Sequence, residues 1–133
     1  RVALGADAET VEAALGQGAA GSPMPGSTCY YLSAPSRSER FFMINEGRLA
    51  RIDVRDRTAA PGGGRVGMTA DAIREAYGPS MISSPHAYST DGEYLRIDAS
   101  TGDGVLLFEV LDGAVASWRI GLDPEVGWVE GCS

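Results

Sequence analysis

Phe41-Phe42-Met43-Ile44-Asn45-Glu46-Gly47 and, 66 positions further on, Leu107-Phe108-Glu109-Val110-Leu111-Asp112-Gly113 are the two stretches on which the fold turns. Each is a short, largely apolar run that ends in residues suited to a tight reversal. Asp112-Gly113 is a strong hairpin signal, because a two-residue hairpin turn needs positive φ at its central positions. Asn45-Glu46-Gly47 supplies turn residues at the matching place. Each turn is followed by a second extended segment, Arg48–Val54 in one case and Ala114–Ile120 in the other, and Leu49 and Ile52 fall on Val115 and Trp118. Leu49 is out of step with the Ile52/Val54 face, which predicts a bulge or twist near Ala50.

The correspondence extends outward from these hairpins. Tyr31-Leu32 matches Tyr94-Leu95 at an offset of 63, and Ala14-Leu15-Gly16 matches Ala76-Tyr77-Gly78 at 62. Cys29–Leu32 and Glu93–Asp98 read as strands that precede the hairpins. Upstream of each lies a helix. Asp7 caps the first, Val11, Ala14 and Leu15 form its apolar stripe, and Gly16 stops it. Thr69 caps the second, Ile73, Ala76 and Tyr77 form its stripe, and Gly78-Pro79 ends it. Gln17–Thr28, the stretch through His86 and Ser100–Gly104 read as loops or turns. The fold class expected is therefore α+β: two tandem units of one helix and a three-stranded antiparallel sheet. Residues 1–58 form the first unit, the Gly/Pro linker spans 59–65, and residues 66–133 form the second unit with a C-terminal tail. A unit of this size has a thin core, so the two are expected to share one by joining or facing their sheets.

Composition narrows the function. All eleven basic residues of the 133 are arginine, set against eighteen Asp plus Glu, for a formal net charge of −7. That balance argues against binding nucleic-acid phosphates. No apolar stretch is long enough to span a membrane. Cys29 and Cys132 are the only cysteines, and with a single histidine they make neither a zinc site nor a CxxC motif. They read as a disulfide that ties the tail to an early strand, which implies an oxidising compartment. The chain begins at Arg1, in keeping with removal of a targeting segment.

Few residues suggest chemistry. A Ser–His–acid arrangement around His86 would draw on Ser83, Ser84 or Ser89 and on Asp91 or Asp98, but no nucleophile-elbow motif accompanies it. The plainer reading is a loop histidine that packs on Pro85 and bonds backbone. His86 with Tyr88 and Tyr94 also suits a pH-sensitive binding surface. Asp91-Gly-Glu93 and Gly102-Asp-Gly104 lack the spacing of a calcium loop and read as turns. Pro61–Gly64 is not a phosphate loop, and no metal or organic cofactor is expected. Six of the eleven arginines lie between Arg37 and Arg57. Arg51 and Arg55 share one strand face with Asp53, and Arg48 precedes them. Such a face is either solvated and ion-paired or a recognition surface for a carboxylate-bearing or anionic partner. In the pairs Tyr30-Tyr31 and Phe41-Phe42, one ring of each must point away from the unit's own core.

Val66-Gly-Met-Thr69 followed by Ile73-Arg-Glu-Ala-Tyr-Gly78 resembles the start of the helix in small bacterial envelope proteins, namely lipoproteins of the SmpA/OmlA type and domains of the β-lactamase-inhibitor-protein type. Ser84–Tyr88, Gly92–Leu95, Leu107–Glu109, Asp112-Gly113 and Pro124–Ser133 are similar, as a set, to uncharacterised proteobacterial periplasmic or lipoprotein domains. The resemblance covers roughly residues 65–133. It implies the tandem α+β fold and an envelope location, periplasmic or anchored to the outer membrane, and it brings no catalytic residues. The function expected is non-catalytic binding of an envelope protein or a small anionic ligand, of inhibitor or immunity type, through a sheet face or the groove between halves. Arg48, Arg51, Arg55, His86, Tyr88 and Tyr94 are the candidate contacts. A structural or assembly lipoprotein accessory is the alternative, and a small hydrolase centred on His86 the third reading.

Overall fold

The computed structural model describes residues 3–37, 39–98 and 104–132. Most of the turn expected over Ser100–Gly104 lies outside them. The described chain forms helix α1 (Ala8–Leu15), strands β1 (Cys29–Leu32), β2 (Arg40–Asn45) and β3 (Arg48–Val54), helix α2 (Ala70–Tyr77), and strands β4 (Ile82–Pro85), β5 (Glu93–Asp98), β6 (Val105–Leu111) and β7 (Ala114–Gly121). All seven strands belong to one antiparallel sheet, in the order β1-β2-β3-β7-β6-β5-β4.

Local chemistry explains most of these elements. Asp7 Oδ1 accepts from Thr10 N at 2.8 Å, and Thr69 Oγ1 accepts from Ala72 N at 3.1 Å, so both helices begin on a side-chain cap. Both end on a glycine at positive φ, Gly16 and Gly78. The two hairpin turns match closely: Glu46 and Asp112 each have φ of 53°, followed by Gly47 at 81° and Gly113 at 79°. The pairing slips between Met43 and Ile44 in one hairpin and between Glu109 and Val110 in the other. The first slip leaves Ala50 without a partner in β2, which is the bulge that the sequence pattern requires.

Two expectations are corrected. The second half carries four strands, because Ile82–Pro85 pairs with β5 as an outer strand. Every β4 residue is exposed, so no apolar alternation marks it, and its shortness and terminal proline suit an edge. The halves are also not two separate three-stranded sheets. β3 and β7 pair through Arg51–Gly121, Ile52–Ile120, Asp53–Arg119 and Val54–Trp118, which makes the sheet continuous. Gly121 permits this join: a Cβ there would sit 2.7 Å from the Ala50 carbonyl oxygen and 3.0 Å from Arg51 Cβ.

Strand alternation divides the side chains between two faces. On one face, Val54, Leu95, Leu106, Phe108, Val110, Val115 and Trp118 meet Ala70 and Ile73 of α2, while Leu32, Phe42, Ile44 and Leu49 meet Val11 and Leu15 of α1. Ile52 packs against both clusters. Tyr30 and Phe42 lie on this face, so Tyr31 and Phe41 fall on the other. The expected linker is also part of the core. Ala60 is buried, Trp118 Nε1 donates to Thr58 O, and Tyr77 Oη accepts from Gly64 N and donates to Pro61 O. A Cβ at Gly64 would overlap the Phe108 ring, so only glycine fits there.

Phe108 is completely buried at the centre of the larger cluster. Phe108→Ala should lower unfolding stability by about 3–5 kcal/mol in denaturant titration. Ile82→Ala, on the exposed edge, should change it by no more than about 0.5 kcal/mol.

Candidate functional site

The helices cover only one face of the sheet. The opposite face carries Arg51 and Asp53 from β3, Tyr94 from β5, Leu107 and Glu109 from β6, and Ser117 and Arg119 from β7. The C-terminal tail lies over it. After Gly121 the chain turns at Asp123-Pro124, forms a 3-10 turn over Glu125–Gly127, and runs to Cys132. Val126 is fully buried and packs on Tyr94, Val105 and Leu107.

Two buried arginines hold this tail. Arg51 is 4% exposed. Its Nη1 donates to Glu125 O at 2.9 Å and to Trp128 O at 2.7 Å, while Nε donates to Asp53 at 3.0 and 3.1 Å. Arg119 Nε donates to Val126 O at 2.7 Å, and its guanidinium lies 5.7 Å from the centroid of the Tyr94 ring. Burial and the neighbouring Arg51 charge pull Arg119 below the ordinary arginine value, a displacement that leaves it charged. Beside them, Asn45 Nδ2 donates to the buried Glu125 carboxylate at 2.9 Å. The Cys29–Cys132 disulfide closes the far end, with a Cα–Cα distance of 5.3 Å across a separation of 103 residues. A loop of that length constrains the unfolded chain by about 4–5 kcal/mol in the chain-entropy model.

His86 sits at the margin of the same face, with its ring almost inaccessible. Nδ1 accepts from the backbone N–H groups of Tyr88 and Ser89, at 3.0 and 3.2 Å. Nε2 donates to Glu109 Oε2 at 2.7 Å, a tautomer assigned by these partners. Ser117 Oγ donates to the other Glu109 oxygen at 3.1 Å, and Tyr94 stacks on the imidazole at 4.7 Å. Both ring nitrogens are thus occupied. A triad needs one of them facing a hydroxyl nucleophile and the other facing an acid, and that arrangement is not formed here. Ser83 Oγ instead donates to Glu93, and Asp98 accepts from Arg96.

The candidate residues are therefore distributed unevenly. His86, Tyr88 and Tyr94 come together, but Tyr94 is buried and only Tyr88 projects, its hydroxyl bonded to Glu130 of the tail. Arg48, Arg51 and Arg55 are separated by environment. Arg51, expected on a recognition surface, is buried beneath the tail. Arg48 is exposed at a cleft of about 640 Å3 between the halves. Arg55 is exposed at a second cleft of about 360 Å3, bordered by Tyr31, Phe41 and Val129, and its guanidinium lies 5.2 Å from the centre of the Phe41 ring. Sequence reading missed Glu109, Arg119 and the Asn45–Glu125 pair. The first two carry a signal: each is a charged residue set among strand residues that are otherwise apolar, Leu107-Phe108-Glu109-Val110 and Trp118-Arg119-Ile120.

No protein-family model matches the chain, and no curated protein matches it in sequence. A solved structure of similar fold is an extracellular protein containing a SCP domain from Bacillus anthracis str. Ames, with a TM-score of 0.59 and 12% identity. The match covers 90% of this chain and 44% of that protein, so this chain spans less than half of its length. The likeness is one of fold. It lends no support to the envelope-family resemblance of residues 65–133. No helix among the described residues is long and apolar enough to cross a membrane. The disulfide is compatible with a secreted or envelope location.

Burial pushes the Glu109 carboxyl up, but hydrogen bonds from His86 and Ser117 and the charge of Arg119 outweigh it, and the net displacement is downward. A carboxylate held lower when folded contributes stability above its ordinary value, and that contribution is lost as pH falls through the folded value. Wild-type stability should therefore fall with acidification below about pH 4.5. Glu109→Gln should be less stable near neutrality and show a flatter acid limb, measured by denaturant titration across pH.

Proposed function

We propose that this chain is a non-catalytic binding protein of an oxidising extracytoplasmic compartment, taken here as the periplasm, and that it recognises a carboxylate-bearing protein through the cleft between its tail and strands β1–β3. The observation that carries this reading is Arg55. It forms no ion pair among the described residues, and it stands over Phe41 beside the exposed Val129. Arginine with aromatic rings at the mouth of a cleft is a composition characteristic of protein interfaces. A guanidinium fork with no ion-pair partner among the described residues suits a carboxylate.

The supporting walls are rigid. Asp53 holds Arg51, and Arg51 holds the tail that forms the opposite wall. Arg55 therefore meets an incoming group with little reorganisation of the surface beneath it, which favours affinity.

Arg55→Glu should abolish recovery of the partner from envelope extract, a loss of about 2 kcal/mol or more in affinity. Arg65→Glu, an equal charge reversal at an exposed position away from the cleft, should leave recovery unchanged. Equal recovery by wild type and Arg55→Glu would overturn the reading.

A further inference from the structure

The larger cleft, of about 640 Å3, has a different character. It lies where the halves meet, between the β2–β3 turn, the end of β5 and the start of the tail, and it is lined by Glu46, Arg48, Arg96, Asp98, Asp123 and Glu125 among others. Three of these charges are spoken for. Arg96 donates from Nε to Asp98 at 2.7 Å and from its two terminal nitrogens to Asp123 at 3.2 and 2.6 Å. These bonds hold the Asp123 carboxyl below the ordinary carboxylate range.

The remaining three, Glu46, Arg48 and Glu125, form no ion pair among the described residues. Glu125 is 7% exposed, and its carboxylate accepts one hydrogen bond, from the neutral amide of Asn45 to Oε2, while Oε1 keeps contact with solvent. No cation stands within ion-pair distance of it among the described residues. A carboxylate removed from water to this degree normally has a cationic partner, since its desolvation is costly. Arg48 lines the same cleft, is exposed, and forms no ion pair with Glu46, Glu125 or any other described residue. A largely buried carboxylate and an exposed guanidinium, neither in an ion pair among the described residues, thus open onto one concavity of small-molecule size. No cluster among the described residues has the donor set for a metal ion.

From this we infer that the cleft between the halves binds a small zwitterion, with the ligand's ammonium group toward Glu125 and Glu46 and its carboxylate on the Arg48 fork. The three groups supply complementary charge at both ends of such a ligand, whereas a simple anion would meet the excess of carboxylates around Arg48. A simple cation would leave Arg48 unanswered. The site is separate from the Arg55 cleft and shares no lining residue with it.

The dipeptide L-alanyl-L-alanine is a suitable probe, followed by amide chemical shifts of the isotope-labelled, disulfide-intact protein. It should give saturable shifts at Glu46–Arg48, Leu122 and Glu125–Val126. Its N-acetyl and C-terminal amide forms should each bind about tenfold more weakly or worse, since a site built for a polar group rejects the analogue that lacks it. Arg48→Gln, an exposed change that leaves the core untouched, should erase the difference between the free dipeptide and its amide while retaining rejection of the N-acetyl form. Arg55→Glu should leave the titration unchanged. The inference is overturned if the dipeptide gives no saturable shift at millimolar concentration, if the blocked forms bind as well as the free one, or if Arg48→Gln preserves discrimination against the amide.

Discussion

The hydrogen bonds from Arg51 and Arg119 to the tail carbonyls are the constraint on which the rest of the molecule depends. Two short helices cover one face of a seven-stranded sheet, and nothing comparable covers the other. That face carries Tyr94, Val105 and Leu107, which need a cover, and two arginines, which need acceptors once they are covered. The tail meets both needs with Val126 and with the carbonyl groups of Glu125, Val126 and Trp128. Arginine is the residue suited to this task. The Arg51 fork bonds one carboxylate and two carbonyls at once, which the compact ammonium of lysine matches poorly. In a chain without lysine, the arginines at the middle of the sheet therefore serve the fold before they serve any ligand.

Because the tail crosses the face without filling it, a cleft opens on each side. One borders β1–β3 and presents Arg55 over Phe41. The other lies between the halves and is lined by both Arg48 and Glu125. Both clefts share a wall with the tail, so the clamp that completes the fold also shapes the two surfaces on which recognition is proposed. The disulfide acts at the far end of the tail and closes the longest loop in the molecule, while the arginines fix its course between Glu125 and Trp128.

What the sequence revealed, and what it did not, follows the range of the forces involved. Both helix caps, the Asp112-Gly113 turn, the bulge at Ala50 and the Cys29–Cys132 pairing were legible, because each rests on the chemistry of a few residues. β4 was not, since Ile82-Ser-Ser-Pro85 buries nothing and shows no alternation. How the halves join was not, since joined and facing sheets demand the same apolar positions from each unit. The candidate site was legible in part. The shared face of Arg51, Asp53 and Arg55 follows from strand alternation alone. That Arg51 is buried while Arg55 is exposed depends on where a tail more than seventy residues later comes to rest, and no local pattern contains that information. His86 shows the same limit: its neighbours Tyr88 and Ser89 are local, but Glu109 reaches it only through the β5–β6 pairing.

The most direct test of this account is amide hydrogen exchange on the Cys29→Ser/Cys132→Ser double variant under native conditions. With the covalent link removed, the amides of Val126, Gly127 and Trp128, which donate to the carbonyls of Leu122, Pro124 and Glu125, should remain protected because Arg51 and Arg119 still hold the tail carbonyls. Exchange of those three amides at the rate of an unstructured peptide, in a protein whose β6 and β7 amides stay protected, would contradict it and assign the tail's position to the disulfide alone.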